Sequence, residues 1–271
     1  MTQCSRRGFL AASAATAASL LVPARARAAA DAMTLRAATR VIEVQGRAAT
    51  VLGLTNAQGG QGLVLDPGQR FRTDLTNTLD FETIVHWHGQ IPPNAQDGVP
   101  NTNPMLKPGE TRAYDFAPRP GTFWMHSHIP EQEIGLLAAP LIVRRPDEVA
   151  ADRQEVVMFL HDFAFRSPQE VLAEVSGGMA MDHSKMDHSA APPAGGMAGM
   201  PGMMGDMSGM MHDMGGMAMD LNDFDFDAYL ANDRTLDDPD VIAVERGGRV
   251  RLRVINGASM TAFWIDTGAA A

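Results

Sequence analysis

The stretch FETIVHWHGQ occupies residues 81–90, and a second stretch with the same character, GTFWMHSHIP, occupies residues 121–130. Together they contain four of the chain's eight histidines: His86, His88, His126 and His128. In a β-strand, residues i and i+2 point to the same face, about 7 Å apart. Each pair is therefore predicted to present two imidazoles on one side of a strand. Because imidazole suits copper, zinc and iron, the two pairs predict a metal site. The alternative is four unrelated polar residues at strand ends, each needing its own partner where it is buried.

The sequence around the histidine pairs is typical of β-structure. Between residues 33 and 145, short apolar segments are separated by Gly, Pro, Asn and Asp at intervals of roughly ten residues, as in a sandwich or barrel. Leu63–Leu65 precedes an Asp-Pro-Gly turn, and Thr111–Phe116 follows a Lys-Pro-Gly-Glu turn. Leu136–Val143 is apolar throughout, which favours a buried strand.

The first 28 residues are predicted to be an export signal. The motif SRRGFL at residues 5–10 has the form of a twin-arginine signal, and the apolar run after it is too short to span a bilayer comfortably. Small residues near Ala26 and Ala28 offer cleavage sites. We therefore predict a periplasmic protein without a membrane span in the mature chain, the alternative being a short membrane anchor. The single cysteine, Cys4, lies within the signal.

Composition excludes two classes of partner. The 271 residues carry a formal net charge of −10 and contain no basic run after the signal. An acidic chain of this kind is not expected to bind nucleic acid or an anionic membrane surface.

A second β-rich unit is predicted at residues 153–271. Its candidate strands are Glu155–Leu160, Val241–Val244 and Arg249–Ile255, with a further strand beginning at Ala262. Four strands with nothing to close the sheet predict a truncated domain.

Methionine is concentrated in one low-complexity segment. Residues 177–220 hold 13 of the 19 methionines, together with many glycines. Thioethers are soft ligands that select Cu(I), so this segment predicts Cu(I) recruitment. The alternative is a linker or an apolar interaction surface. The candidate Cu(I) ligands are Met181, His183, Met186, His188, Met203, Met204, Met207, Met210, Met211, His212 and Met214.

The two histidine motifs resemble the first two copper-binding motifs of the multicopper oxidases, the family of laccases and periplasmic copper-resistance oxidases. The resemblance rests on HWHG at residues 86–89 and WMHSH at residues 124–128, supported by DGVP at residues 97–100. It covers residues 40–145 closely. It implies an all-β fold, with a complete cupredoxin-like Greek-key β-sandwich at residues 33–146. A partial second cupredoxin-like domain would follow at residues 153–271, carrying the methionine-rich insertion at 177–220.

The resemblance also implies a copper site. His86 would bind the mononuclear type 2 copper, and His88 and His126 would share one copper of the binuclear type 3 pair. His128 would bind the other type 3 copper. Together these half-sites would form half of a trinuclear cluster that reduces O2 to water, so copper ions and O2 are the expected partners.

The chain also departs from the family pattern. A His-X-X-His-X-His motif and a His-Cys-His motif, the second of which carries the type 1 copper cysteine, do not occur in it. We therefore expect the N-terminal portion of a copper-tolerance oxidase that oxidises Cu(I) or another reductant. This portion is expected to be inactive alone and to need a missing C-terminal half or another subunit. A non-enzymatic, secreted copper-sequestering protein is the main alternative. A zinc hydrolase with Glu131 or Glu133 as the acid–base residue is another.

Overall fold

The computed structural model describes residues 32–177 and 224–268. The predicted export signal and the methionine-rich segment from residue 178 onward lie outside the described residues. Within the described ranges, no helix is long and apolar enough to cross a bilayer.

The described residues form eleven strands, three α-helices and one 3₁₀-helix at Asn94–Gln96. The strands are β1 Met33–Val44, β2 Arg47–Asn56, β3 Leu63–Leu65, β4 Phe71–Asn77, β5 Val85–His88, β6 Thr111–Phe116, β7 Gly121–Ser127, β8 Ala138–Val143, β9 Gln154–Phe163, β10 Ala228–Ala231 and β11 Val250–Asn256. The helices are α1 Pro130–Ile134, α2 Pro146–Ala150 and α3 Pro168–Gly177.

The first eight strands form a sandwich of two four-stranded sheets. One sheet has the order β2-β1-β4-β6 and the other the order β3-β8-β7-β5. Burial alternates residue by residue along β4, because successive side chains of a strand point to opposite faces. The core between the sheets includes Trp87, whose ring contacts those of Phe71 and Tyr114. This confirms the sandwich predicted from the sequence.

The second unit is a three-stranded sheet with the order β10-β9-β11. It packs on the outer face of the β3-β8-β7-β5 sheet, where Ala138 and Ile142 meet Phe159 and Ile255 in a buried cluster. Trp124, which lies on the same outer face, is packed against this cluster. The second unit therefore covers the part of the face that adjoins the histidines of β5 and β7.

Two strands predicted in the second unit are absent from the described residues. Val241–Val244 and residues 262–266 have no strand hydrogen bonding, and Val241 is 86% exposed. The prediction was wrong because a short apolar run becomes a strand only beside a partner strand. Leu136 also lies outside β8, since its backbone has a φ of 68°.

Candidate metal centre

The pairing of β5 with β7 brings the two histidine motifs together. The strands are antiparallel, with His86 opposite His126 and His88 opposite Trp124. His128 follows the last residue of β7 directly. The ring centroid of His128 lies 4.9 Å from that of His86 and 5.1 Å from that of His126. All four histidines therefore cluster on one face of the sheet, as the i, i+2 spacing predicts.

The residues between the histidines anchor this ladder in the core. Trp87 and Met125 are opposite each other on the other face of the strands, and both are fully buried. The indole Nε1 of Trp87 donates to the carbonyl oxygen of Gln96 at 2.9 Å. Because alternate residues of each strand are fixed in the core, the histidines are held facing outward.

His88 and His126 present nitrogens to each other. The Nδ1 atom of His88 lies 3.3 Å from the Nε2 atom of His126. Two nitrogens about 2.0 Å from one ion, in tetrahedral directions, lie about 3.3 Å apart. The spacing between these nitrogens therefore fits a pair of ligands to a single metal ion.

His86 has a fixed tautomer. Its Nδ1 lies 2.9 Å from the carbonyl oxygen of Asp97, which can only accept, so Nδ1 carries the proton. The Nε2 atom of His86 is left with a free lone pair. A histidine whose second nitrogen donates to a carbonyl is the usual arrangement of a metal ligand.

His126 is the buried member of the cluster, at 6% exposure. Its Nδ1 atom lies 3.1 Å from the carboxylate Oε1 of Glu133. The alignment of these two atoms is outside hydrogen-bonding geometry, and Nδ1 has no other partner among the described residues.

Trp124 supports two of the histidines from the same face. Its indole lies parallel to the imidazole of His126, with ring centroids 4.1 Å apart and an interplanar angle of 14°. The ring centroid of His88 lies 5.2 Å from that of the indole. The ring centroid of Phe159, in the second unit, lies 6.2 Å from it. The indole thus connects the second unit to the histidine cluster.

The cluster favours neutral imidazoles. Partial desolvation, followed by the neighbouring rings of His126 and His86, lowers the pKa of His88 below its ordinary value. The same causes lower the pKa of His128. Neutral rings keep the lone pairs that a metal ion needs, so both side chains are suited to bind at neutral pH.

The donor set suits copper. It consists of imidazoles with free lone pairs, the ligand type shared by copper and zinc sites. Within residues 32–177 and 224–268, no group of three or more His, Cys, Asp or Glu side chains is arranged to hold one ion. The resemblance assigns at most two of the four histidines to any one copper.

Sequence reasoning missed the supports of this cluster. Asp97, Trp124 and Glu133 lie within the quoted motifs or just after them, but no role in orienting a histidine was predicted for them. The role of Trp124 was the easiest of the three to predict, because Trp124 lies two residues before His126 in a strand and so shares its face. The predicted Cu(I) ligands of the methionine-rich segment lie outside the described residues. His161 is separate from the cluster and is buried in the second unit.

The comparisons with known proteins agree on one family. A sequence model of the family described as multicopper oxidase matches residues 37–148. Copper resistance protein A of Escherichia coli is 38% identical over 113 residues, which cover 40% of this chain and 18% of that protein. Multicopper oxidase MmcO of Mycobacterium tuberculosis is 29% identical over 228 residues, which cover 83% of this chain and 42% of that protein.

The fold has a counterpart among solved structures. The 2F4 variant of the McoA multicopper oxidase from Aquifex aeolicus matches with a TM-score of 0.53 and 21% identity, covering 86% of this chain and 44% of that one. This likeness confirms the predicted all-β, cupredoxin-like fold. The chain spans less than half the length of these relatives. Residues 37–148 therefore belong to the multicopper oxidase family.

Proposed function

We propose that His86, His88, His126 and His128 are copper ligands that supply half of a trinuclear centre. Membership in the family implies an oxidoreductase that uses copper. The observation that carries the proposal is the 3.3 Å separation between Nδ1 of His88 and Nε2 of His126, inside a cluster of four imidazoles. In this assignment His86 serves the type 2 copper, His88 and His126 share one type 3 copper, and His128 serves the other.

The side chains around the cluster have distinct tasks in this proposal. The carbonyl oxygen of Asp97 holds the proton on Nδ1 of His86, so that Nε2 stays available as a ligand. Trp124 covers one face of the His126 ring and keeps water from it. Copper, when bound, supplies one-electron redox chemistry and a site for O2.

For the whole protein, we propose a periplasmic oxidase that takes electrons from Cu(I) or another reductant and reduces O2 to water. In this proposal the chain is the N-terminal portion of that oxidase. The two histidine motifs, which resemble the first two of the family, support this, as do matches that cover 18% of one relative and 42% of another. The remaining ligands and the type 1 copper then come from the C-terminal half or from another subunit. The histidine motifs and the relative named for copper resistance support this reading, and the methionine-rich segment is proposed to gather Cu(I).

Copper binding tests the site. The full chain, stripped of metal, is titrated with Cu(II) against a chelator of known affinity and compared with the double variant His88→Ala/His126→Ala. We expect the variant to lose tightly bound copper, while the surface variant Gln58→Ala, far from any proposed ligand in the chain, keeps it. Equal Cu(II) binding by wild type and His88→Ala/His126→Ala would contradict the assignment.

Oxygen uptake tests whether the chain needs a further portion, and the source DNA separates the oxidase from the copper-sequestering alternative. With Cu(I) as reductant, the chain alone is expected to consume O2 at most in proportion to the protein present. Sustained catalytic uptake by the chain alone would refute a role for a further portion. The source DNA beyond the codon for Ala271 is expected to encode His-X-X-His-X-His and His-Cys-His, and a stop codon there would favour sequestration.

A further inference from the structure

Nδ1 of His126 is a buried polar atom that makes no hydrogen bond to any described residue. Leaving such an atom unpaired is destabilising, so its surroundings need an explanation. The nearest acidic group is the carboxylate of Glu133, whose Oε1 lies 3.1 Å away. That distance is within hydrogen-bonding range and only the alignment is poor. The Glu133 side chain is 30% exposed, so its carboxylate has room to rotate.

The backbone of Glu133 is held firmly beside the cluster. Helix α1 begins two residues after His128, with Pro130 in its first turn. The N–H of Glu133 donates to the carbonyl oxygen of Ile129 at 3.0 Å. The neighbouring Gln132 is buried, and its side-chain oxygen accepts a hydrogen bond at 2.9 Å from the hydroxyl of Ser127, which lies between His126 and His128. The position of Glu133 relative to His126 is therefore set by the same segment that carries the ligands.

The charge of Glu133 acts on the whole cluster. Its carboxylate raises the pKa values of both His88 and His128, in opposition to the stronger effects of desolvation and neighbouring imidazoles. A negative charge facing a group of imidazoles also favours a bound cation.

We propose that Glu133 is a positioning residue that accepts the Nδ1–H of His126 and fixes the tautomer of that ring. This inference rests on the proposed function, because it concerns a histidine assigned there as a copper ligand. With the proton on Nδ1, the lone pair of His126 lies on Nε2, which faces Nδ1 of His88 at 3.3 Å. Without Glu133, a neutral histidine is free to carry its proton on Nε2, where it blocks the ligand position.

The tautomer of His126 in the metal-free chain provides the first test. At pH 8, imidazole ¹⁵N chemical shifts are expected to show a protonated Nδ1 and an unprotonated Nε2 in the wild type. Glu133→Ala is expected to shift His126 towards the Nε2–H form. Glu131→Ala removes the same charge from the same helix and is expected to leave the wild-type pattern unchanged. A His126 ring that keeps its Nδ1–H in Glu133→Ala would overturn the proposal.

Copper affinity provides the second test. Partners of metal-bound histidines typically contribute 10–100-fold to metal affinity, so Glu133→Ala is expected to weaken Cu(II) binding by about that factor. Glu133→Gln retains a carbonyl oxygen as an acceptor and is expected to recover part of the loss. Glu131→Ala is expected to bind as the wild type does. Unfolding midpoints of all variants check that the fold is intact.

The outcomes separate this inference from the proposed function. If the wild type binds no Cu(II), the proposed function fails, whereas the tautomer measurement still decides the role of Glu133. If the wild type binds Cu(II) and Glu133→Ala binds it equally well, the copper site stands and the positioning role is wrong.

Discussion

Gly46 and Gly98 share one backbone conformation in different surroundings. Both have a φ of +76°, in the left-handed region that side chains disfavour. A Cβ on Gly46, in the turn between β1 and β2, would meet nothing within 4 Å. A Cβ on Gly98 would lie 1.8 Å from the carbonyl oxygen of Val85, directly before His86. The glycine of the DGVP motif therefore allows the loop to approach the first strand of the histidine cluster.

Alanine at these two positions should separate conformational strain from steric overlap. Gly46→Ala is expected to lower the free energy of unfolding by about 1 kcal/mol, the cost of a left-handed alanine. Gly98→Ala carries the same strain and must also displace β5, so its cost is expected to be about 3 kcal/mol or more. Urea unfolding of the metal-free chain measures both. Similar losses in the two variants would mean that the loop yields without moving β5.

His161 is a buried imidazole outside the histidine cluster. Burial lowers its pKa to about 4, and the nearby Arg40 acts in the same direction while Asp233 and Asp162 oppose it. Its ring lies against Phe159, with centroids 4.3 Å apart. The folded protein therefore keeps His161 neutral under conditions that protonate it in the unfolded chain.

The stability of the chain should consequently depend on pH through His161. Between pH 6.5 and about 4, the unfolded state binds a proton that the folded state excludes, so the free energy of unfolding falls as the pH falls. From pH 7.5 to pH 5 this residue is expected to contribute a loss of about 2 kcal/mol. Urea titrations at both pH values, on the wild type and His161→Leu, measure the difference. An equally steep pH dependence in His161→Leu would contradict the assignment.

At the scale of elements, α1 joins the two histidine-bearing segments through one side chain. Gln132 is buried, and its Oε1 accepts the hydroxyls of Ser127 and Thr83 at 2.9 and 2.7 Å. Its Nε2 donates to the carbonyl oxygen of Glu82 at 2.8 Å. Thr83 and Glu82 lead into β5, whereas Ser127 ends β7. The amide therefore ties the entrance of one strand to the exit of the other.

Replacing this amide with an apolar side chain should be costly. Gln132→Leu leaves two buried hydroxyls and one carbonyl without their partner, and the free energy of unfolding is expected to fall by about 3 kcal/mol. The exposed Gln58 supplies the control, since Gln58→Leu is expected to change stability by less than about 0.5 kcal/mol. Urea unfolding of both variants gives the comparison. A loss of less than about 1 kcal/mol in Gln132→Leu would show that water replaces the amide.

The elements that the sequence predicted well are those whose signal is local. Leu63–Leu65 and Thr111–Phe116, each next to a proline–glycine turn, correspond to β3 and β6, and the apolar run Leu136–Val143 corresponds to β8 within two residues. Helices α1 and α2 have five residues each, too few for a 3.6-residue period to show. A proline in the first turn of each was the available signal. Val241–Val244 misled because its strand propensity depends on a neighbour that its own residues do not encode.

In the candidate site, too, only the features with a local sequence signal were predictable. Two His-X-His pairs fix which imidazoles share a face, and that much follows from the period of a strand. Glu133 was considered only as an acid–base residue of a hydrolase, because its contact with His126 depends on the turn at Ile129. Contacts made across a turn depend on tertiary geometry, which residue spacing does not show.

At the scale of the molecule, a buried ion-pair network joins the sandwich to the second unit. Arg253 of β11 is 4% exposed and donates to Thr122 of β7 at 2.9 Å. It also pairs with Glu148 of α2 at 3.1 Å and with Glu155 of β9 at 2.5 Å. The network thus connects the second unit to β7, the strand that carries Trp124 and His126.

Removal of this guanidinium should destabilise the chain strongly. Arg253→Met removes the cation shared by two largely buried carboxylates, which keep Arg251 and Arg144 as partners. The expected loss is therefore about 2–3 kcal/mol, below that of a buried charge left without any partner. Arg234 pairs with Asp238 on the surface, with the two side chains 43% and 60% exposed. Arg234→Met is therefore expected to cost less than about 1 kcal/mol. Thermal and urea unfolding measure the stability of both variants. Comparable losses of stability in Arg253→Met and Arg234→Met would mean that the network between the units is solvated.

The position of β5 has a consequence for how the sheet opens. β5 has only four residues and lies at the edge of its sheet, held on one side by β7. A short outer strand of this kind is prone to fray. His88 and His126 lie 38 residues apart in the chain, so an ion held by both nitrogens would act as a reversible cross-link that closes the loop between them. Peeling β5 away would then require the ion to leave first, and the amide protons of β5 should exchange with solvent more slowly as the metal concentration rises.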